Sequence, residues 1–224
     1  MKRVLRDNGL GLFFGVIFLV TLAGQSLTGL AVYNQEQLSH GLGQIGWLRF
    51  VTSSAFAVDV AENWQSEYLQ FFLFIAATIW LVQRGSPESK QIGKEGIGSD
   101  EEQLVGKFAR RDSPPWAKVS GFKHWLFSNS LLLVMGTIFF LSWFAQSVAG
   151  VAAYNEEQLR GFEDALSWPE YVASADFWNR TLQNWQSEFL AVGSMVVLSI
   201  YLRQRGSPES KPVGEAHATT GVQG

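Results

Sequence analysis

The sequence predicts an all-α integral membrane protein in which four transmembrane helices form two parallel, tandem helical-hairpin repeats in one bundle. Three observations predict this fold. One long segment occurs twice, each copy holds two apolar stretches, and the basic residues cluster on one side of those stretches. The repeat constrains the architecture most strongly, because each copy is expected to form the same supersecondary unit.

The repeat covers most of the chain. Residues 8–90 align with residues 129–211 without a gap, and 35 of the 83 aligned positions are identical. The identities cluster in three motifs, which are [GA]QSxxGxxxYNxEQL at 24–38 and 145–159, NWQSE[YF]L at 63–69 and 184–190, and RGSPESK at 84–90 and 205–211. The predicted organisation is a first two-span repeat over 1–90, a cytoplasmic linker over 91–121, a second two-span repeat over 122–211 and a flexible tail over 212–224.

Four apolar stretches supply the predicted spans. Residues 10–32 and 131–153 carry no charge. Residues 69–82 and 190–202 reach the roughly 20 residues that a bilayer core requires when the NWQSE motif is included. The basic N-terminus before the first stretch also resembles a signal peptide, but the stretch is longer than a secretory apolar region and recurs in mid-chain. We therefore expect the first stretch to be a true span.

Basic residues set the predicted orientation. Of the 17 Lys and Arg, 14 lie before the first span, between spans two and three, or after span four. The two outer loops hold only Arg49, Arg160 and Arg180. We therefore expect a multi-pass protein with both termini and the linker in the cytoplasm.

Composition and motifs narrow the possible functions. The chain has no cysteine, which excludes disulfides and thiolate metal sites. No phosphate-binding loop, nucleophile motif or spaced set of metal ligands occurs, so we expect neither enzymatic activity nor a cofactor. Topology explains the basic residues, so nucleic acid is not an expected partner. The expected partners are membrane lipids and another membrane protein or a second copy of the chain.

A glutamine, a glycine and a tyrosine recur at helical spacing in the first span of each repeat. The two trios are Gln25, Gly29, Tyr33 and Gln146, Gly150, Tyr154. Their i, i+4, i+8 spacing puts each trio on one helix face. Small residues let helices approach closely in lipid, and amides hydrogen-bond across the contact. We expect this face to pack against another helix, and the alternative is a polar pore or solute site formed by the two glutamines. We also expect the first helix of each repeat to end near the tyrosine.

Glu67 and Glu188 are the acids of the repeated NWQSE motif. If Asn63 and Asn184 cap the second helix of each repeat, these glutamates lie in its first turn and meet the helix dipole favourably. The alternative is a paired cation or proton site that includes the two glutamines, because ionisable residues inside spans are functional candidates.

The start of this second helix distinguishes the two interpretations. Apolar side chains repeat every fourth residue through Phe56, Val60, Trp64, Tyr68 and through Phe177, Thr181, Trp185, Phe189, which predicts a helix that continues straight into the span. Trp64 and Trp185 are candidate anchors at the membrane interface. A helix start near Ser53 and Ser174 would place the glutamates deeper and favour the ion site.

The RGSPESK motif predicts the end of the second helix. Its stop signals are Arg84, Gly85 and Pro87 in the first copy and Arg205, Gly206 and Pro208 in the second. Arginine suits the last turn, glycine the left-handed position after it, and proline prevents the helix from resuming. The additional match of Glu, Ser and Lys indicates either a recent duplication or a cytoplasmic contact surface.

The three motifs resemble a family of bacterial integral membrane proteins that is described only as a domain of unknown function. The resemblance covers both repeats and is especially close at FWNRTLQNWQSEFL (177–190), whereas the first repeat departs from it at 56–69. It implies a location in the bacterial inner membrane and no established activity. We therefore expect a non-enzymatic cell-membrane protein that acts through helix packing and protein or lipid contacts. The alternative is a small channel or secondary carrier for a cation or proton.

Overall fold

The computed structural model describes residues 2–223, so the cytoplasmic location expected for Met1 and Gly224 lies outside the described residues. Over residues 2–223 the chain forms α-helices and no strand, which confirms the all-α prediction. The helices are α1 (Lys2–Asp7), α2 (Gly9–Ser39), α3 (Trp47–Val51), α4 (Ser54–Trp80), α5 (Phe122–Ser128), α6 (Ser130–Arg160), α7 (Trp168–Val172) and α8 (Ala175–Tyr201). The segment between α4 and α5 contains turns and two short 3-10 helices.

The chain divides into two compact units. The first contains Met1–Ala61 and Ala145–Phe177, and the second contains Glu62–Phe144 and Trp178–Gly224. Each unit therefore combines residues from both repeats. The boundaries inferred from the sequence mark the internal duplication. The division of the chain into domains at those boundaries stays a prediction.

Two helices within residues 2–223, α2 and α6, are long and apolar enough to cross a membrane. We expected four such helices. The helices α4 and α8 have 27 residues each but do not meet the same criterion. The polar NWQSE motif lies in the middle of both and lowers their mean hydropathy, which accounts for the difference.

The first long helix of each repeat continues beyond its expected end near the tyrosine. It includes the EQL residues, which we expected in the outer loop. After α2, Gly41 takes a left-handed conformation with φ of 70°, and the equivalent Phe162 has φ of 60°. Glycine adopts this conformation without strain, whereas phenylalanine does not. The second repeat is therefore strained at a position where the first is not.

The second long helix of each repeat begins near Ser53 or Ser174, the earlier of the two starts that the sequence left open. The hydroxyl oxygens of Ser53 and Ser174 each accept the backbone N–H three residues later, at 3.3 Å in both repeats. These serines cap α4 and α8, since their oxygens satisfy an otherwise unpaired helical N–H. Asn63 and Asn184 consequently lie well inside the helices and are not their caps.

Candidate functional site

In the first unit, the [GA]QSxxGxxxYN motif holds the short outer helix of each repeat. The indole N–H of Trp47 donates to the Ser26 hydroxyl at 3.0 Å, and that of Trp168 donates to the Ser147 hydroxyl at 3.1 Å. The same contact in both copies gives the serine of the motif a structural role. It fixes the entry of α3 and α7.

The asparagine of the same motif clamps the loop before the short helix. The Asn34 side chain accepts the N–H of Ile45 at 2.8 Å and donates to its carbonyl oxygen at 3.0 Å. Asn155 makes both hydrogen bonds to Leu166 at 2.8 Å. Two hydrogen bonds from one amide satisfy both backbone groups of a loop residue, and this explains why the asparagine recurs.

Gly29 and Gly150 allow the short helix to approach. A Cβ at Gly29 would lie 2.9 Å from the Phe50 ring, and a Cβ at Gly150 would lie 2.5 Å from the Tyr171 hydroxyl. These nearest atoms belong to the short helix of the same repeat. The helix face that contains each glycine therefore packs against the short helix of the same repeat, α3 or α7.

The tyrosines of the motif extend this packing. The ring centroid of Tyr33 lies 5.6 Å from that of Phe50, and the centroid of Tyr154 lies 5.5 Å from that of Tyr171. Tyr171 has no solvent-exposed surface. Such aromatic pairs stabilise by about 0.5–1.5 kcal/mol beyond their buried area. The short helices α3 and α7 are thus each held by an equivalent aromatic contact to the preceding long helix.

The four residues of the predicted ion site fall in different units. Gln25, which is half-buried, and Gln146, which is fully buried, belong to the first unit. Glu67 and Glu188 belong to the second. The two pairs are therefore described separately, and a joint site stays a prediction.

In the second unit, α4 and α8 are joined by polar contacts near their centres. Arg180 forms a salt bridge with Glu62 at 3.1 Å, and the Glu62 side chain is only 17% exposed. One turn further along α4, the fully buried Gln65 accepts the indole N–H of Trp185 at 2.7 Å. Trp185, which we expected as an interface anchor, thus donates to a buried amide between two helices.

Glu67 and Glu188 are the central residues of α4 and α8, with thirteen residues on either side of each. At 1.5 Å per residue they lie about 20 Å from the helix starts, where the terminal dipole no longer acts. The capping interpretation is therefore wrong. The two helices contact each other near these residues, where Trp185 of α8 donates to Gln65 of α4 at 2.7 Å. Within residues 2–223, no group of three or more His, Asp or Glu side chains is arranged to hold a metal ion.

The sequence indicated only part of this polar contact. Gln65 recurs in the second repeat as Gln186, so its identity was a usable signal. Glu62 and Arg180 are not identical to their counterparts, and nothing in their spacing predicts that they pair. Only the packing of α4 on α8 brings them together.

The RGSPESK motif forms the same turn in both copies. The helices α4 and α8 end before the motif, so Arg84 and Arg205 lie beyond the last helical turn, which corrects the predicted position. Gly85 and Gly206 do adopt left-handed conformations, with φ of 87° and 81°. In each copy the second serine of the motif accepts a backbone N–H six residues earlier, at 2.9 and 3.0 Å. These contacts explain the repeated Ser and Gly.

The lysine at the end of the motif organises the segment that follows it. Lys90 Nζ donates to the carbonyl of Gly96. Lys211, which is 1% exposed, donates to four carbonyl oxygens at 2.7–3.3 Å, one at Gly85 and three within residues 216–219. Burial lowers the pKa of the Lys211 ammonium, and the charge of Arg203 acts in the same direction. The tail that we expected to be free is thus held at the first copy of the motif.

The two copies of the motif also act on each other. Burial raises the pKa of Glu88, and the negative charge of Glu209, its counterpart in the second copy, raises it further. Gly85 N–H donates to the Thr220 hydroxyl at 2.8 Å. Both interactions lie within the second unit, and recent duplication and a cytoplasmic contact surface both stay predictions for the repeated motif.

The fold and these contacts define an all-helical protein with a duplicated hairpin and two candidate membrane-spanning helices. A family model described as "Domain of unknown function (DUF6766)" matches residues 1–222. The chain therefore belongs to this family. No curated protein and no solved structure matches the chain significantly.

Proposed function

We propose that this chain is a four-span protein of the bacterial inner membrane that binds a proton or a monovalent cation between Glu67 and Glu188. The observation that carries the proposal is their position at the centres of α4 and α8, two helices that contact each other where Trp185 donates to Gln65 at 2.7 Å. This corresponds to the channel or carrier that the sequence left as the alternative. The early start of both helices is what favours it over helix capping.

The lengths of α4 and α8 support a position of Glu67 and Glu188 deep in the membrane. A helix of 27 residues measures about 40 Å, which exceeds the roughly 30 Å of a bilayer core. If α4 and α8 span, their central residues lie near the middle of the bilayer. A carboxylate at that depth is costly unless it is protonated, paired or hydrated. Glu67 is exposed and Glu188 is half-buried, so neither is fully enclosed by the chain.

The like charges of Glu67 and Glu188 on two contacting helices are the reason we expect a cation to bind. Two neighbouring carboxylates repel each other, and a shared proton or a bound cation relieves that repulsion. The nearby Glu62 already has Arg180 as its partner at 3.1 Å, so the local positive charge is in use. The pair at Glu67 and Glu188 is then the part of the contact that lacks charge compensation from that arginine.

A second candidate function is the non-enzymatic one, in which the protein acts through helix packing and protein or lipid contacts. The exposure of α2 favours this function, because only 6% of its most apolar 18-residue stretch is buried, against 28% of that stretch in α6. Its exposed apolar side chains include Leu10, Phe13, Phe14, Val16, Leu19 and Val20. Such a surface suits lipid or another membrane protein.

The topology is testable because the chain contains no cysteine. Single cysteines replacing Asp112 in the linker and Asp164 in the second outer loop, both exposed, should label oppositely with an impermeant maleimide in intact cells. We expect external labelling at position 164 only, since the basic residues place the linker inside. Labelling at position 112 after cell lysis is the control for reactivity. External labelling at position 112 in intact cells would contradict the four-span proposal.

Transport is tested with purified protein in liposomes. We expect a proton or alkali-cation flux above that of empty liposomes, and we expect Glu67→Gln and Glu188→Gln each to reduce it at least tenfold. The reason is that an amide keeps the size of the carboxyl group but loses its charge. Flux is measured with a pH-sensitive or K⁺-sensitive dye between pH 5 and 8.

The matched controls are Glu36→Gln and Glu157→Gln. These glutamates are also equivalent in the two repeats, but they are exposed and lie near the ends of α2 and α6. Both controls should keep the wild-type flux. Absence of flux at every pH would exclude transport of these ions and leave the non-enzymatic candidate.

A further inference from the structure

A cleft of about 840 Å³ opens in the first unit. Its walls come from the ends of α2 and α6, the loop before α3, α3 itself and the start of α4. This volume lies within the roughly 300–1,000 Å³ that is usual for ligand sites. The contacts described above for α4 and α8 do not involve this cleft, which has its own charged residues.

Two arginines line the cleft and give it a net positive charge. Arg160, with a side chain 14% exposed, binds Glu156 and donates to the Tyr33 hydroxyl at 3.2 Å. Tyr33 in turn donates to Glu156 at 2.6 Å. The negative charge of Glu156 is therefore matched by Arg160. Arg49 is exposed on the other wall, and its guanidinium has no ion pair or hydrogen bond within residues 2–223.

The cleft combines residues of both repeats, and the positions equivalent to them, with the two repeats exchanged, carry a net negative charge. Tyr154 corresponds to Tyr33, whereas Glu170 stands in place of Arg49 and Ser39 in place of Arg160. The other replacements are Gln35 for Glu156, Glu163 for Leu42 and Asp164 for Gly43. Glu170 is also occupied, because it accepts the N–H and hydroxyl of Ser167 at 2.8 and 2.6 Å. The positive charge is thus specific to this cleft and is not shared by the equivalent positions.

We infer that this cleft binds a phosphate group through Arg49 and Arg160, with the Tyr33 hydroxyl beside them. Guanidinium groups present several N–H donors in a planar fork that matches phosphate oxygens. The cleft lies at the C-terminal end of the candidate span α2, where lipid headgroups are expected if α2 crosses the membrane. The phosphate source is therefore a phospholipid headgroup or free phosphate. The inference uses only the placement of α2 and is independent of Glu67 and Glu188.

The experiment uses the full chain purified in mild detergent. Calorimetric titration with inorganic phosphate measures free phosphate. Native mass spectrometry after exchange into mixed phosphatidylglycerol and phosphatidylcholine measures retained lipid. Arg49→Glu introduces the residue found at the equivalent position of the second copy. Because Arg49 is exposed, we expect the variant to fold normally, and circular dichroism checks this. Arg110→Glu, an exposed linker position, makes the same change of net charge outside the cleft.

We expect the wild type and Arg110→Glu to bind inorganic phosphate or phosphatidylglycerol equally, and Arg49→Glu to bind it at least tenfold more weakly. Arg49→Lys should recover part of the affinity, since it restores the charge without the fork. Binding of inorganic phosphate with this pattern identifies free phosphate as the source. Selective retention of phosphatidylglycerol with this pattern identifies the headgroup. Equal binding by Arg49→Glu and the wild type, or binding of neither probe by the wild type, would overturn the inference, whatever the result of the flux assay.

Discussion

Replacing Lys211 with methionine is expected to release the C-terminal tail and to destabilise the second unit by about 2–4 kcal/mol. Lys211 is 1% exposed and its ammonium binds four backbone carbonyl oxygens at 2.7–3.3 Å. Methionine fills a similar volume but donates no hydrogen bond, so these carbonyl groups would be left buried without that donor. Hydrogen exchange of residues 212–221 should accelerate, and the melting temperature in detergent should fall.

The duplicated motif supplies a control for this prediction. Lys90 occupies the equivalent position in the first copy, is only half-buried, and donates to the carbonyl of Gly96. Lys90→Met should therefore have a smaller effect on the melting temperature and leave exchange in the tail unchanged. Equal effects of the two substitutions would show that the four carbonyl contacts of Lys211 contribute little.

Replacing Gly150 with alanine is expected to destabilise the first unit by about 1–3 kcal/mol, the usual cost of overpacking. A Cβ at this position would lie 2.5 Å from the hydroxyl and 2.8 Å from a ring carbon of Tyr171. That ring is fully buried and packs against Tyr154 at 5.5 Å and Phe177 at 5.8 Å, so it cannot move away without disturbing both. Chemical or thermal unfolding in detergent measures the loss.

Gly24→Ala is the matched substitution. Gly24 lies in α2, has no atom within 4 Å of an added Cβ, and corresponds to Ala145 in the second repeat. Alanine should be neutral there or stabilise by about 0.5–1 kcal/mol, because it lowers the conformational entropy of the unfolded chain. A loss at Gly24 as large as that at Gly150 would refute the role of the Tyr171 contact.

Local patterns in the sequence predicted the helices well. The side chains at every fourth position favoured starts of α4 and α8 near Ser53 and Ser174, one of the two possibilities that the sequence left open, and both serines cap those helices. Gly85 and Gly206 were predicted to be left-handed, and they are. These features depend on residues a few positions apart in the chain, so a sequence pattern carries them directly.

The function of the repeated motifs was harder to predict. The face containing Gly29 was expected to pack on another helix, and its partner is Phe50 of the short helix α3. The sequence showed that a small residue was required but not which aromatic ring approached it. Similarly, α4 and α8 do not meet the length and hydropathy criterion for a span that α2 and α6 meet, because the polar NWQSE motif lies at their centres and not at their ends.

The sequence by itself determined the duplication, the all-α class and the left-handed turns, since these follow from local periodicity and backbone preference. Only the tertiary structure decided that Arg180 pairs with Glu62, that Lys211 binds the Gly85 carbonyl, and that Arg160 binds Tyr33. Each of these contacts joins residues from different repeats or distant turns. Their partners are selected by distance and burial in the folded chain, and spacing along the sequence does not encode either quantity.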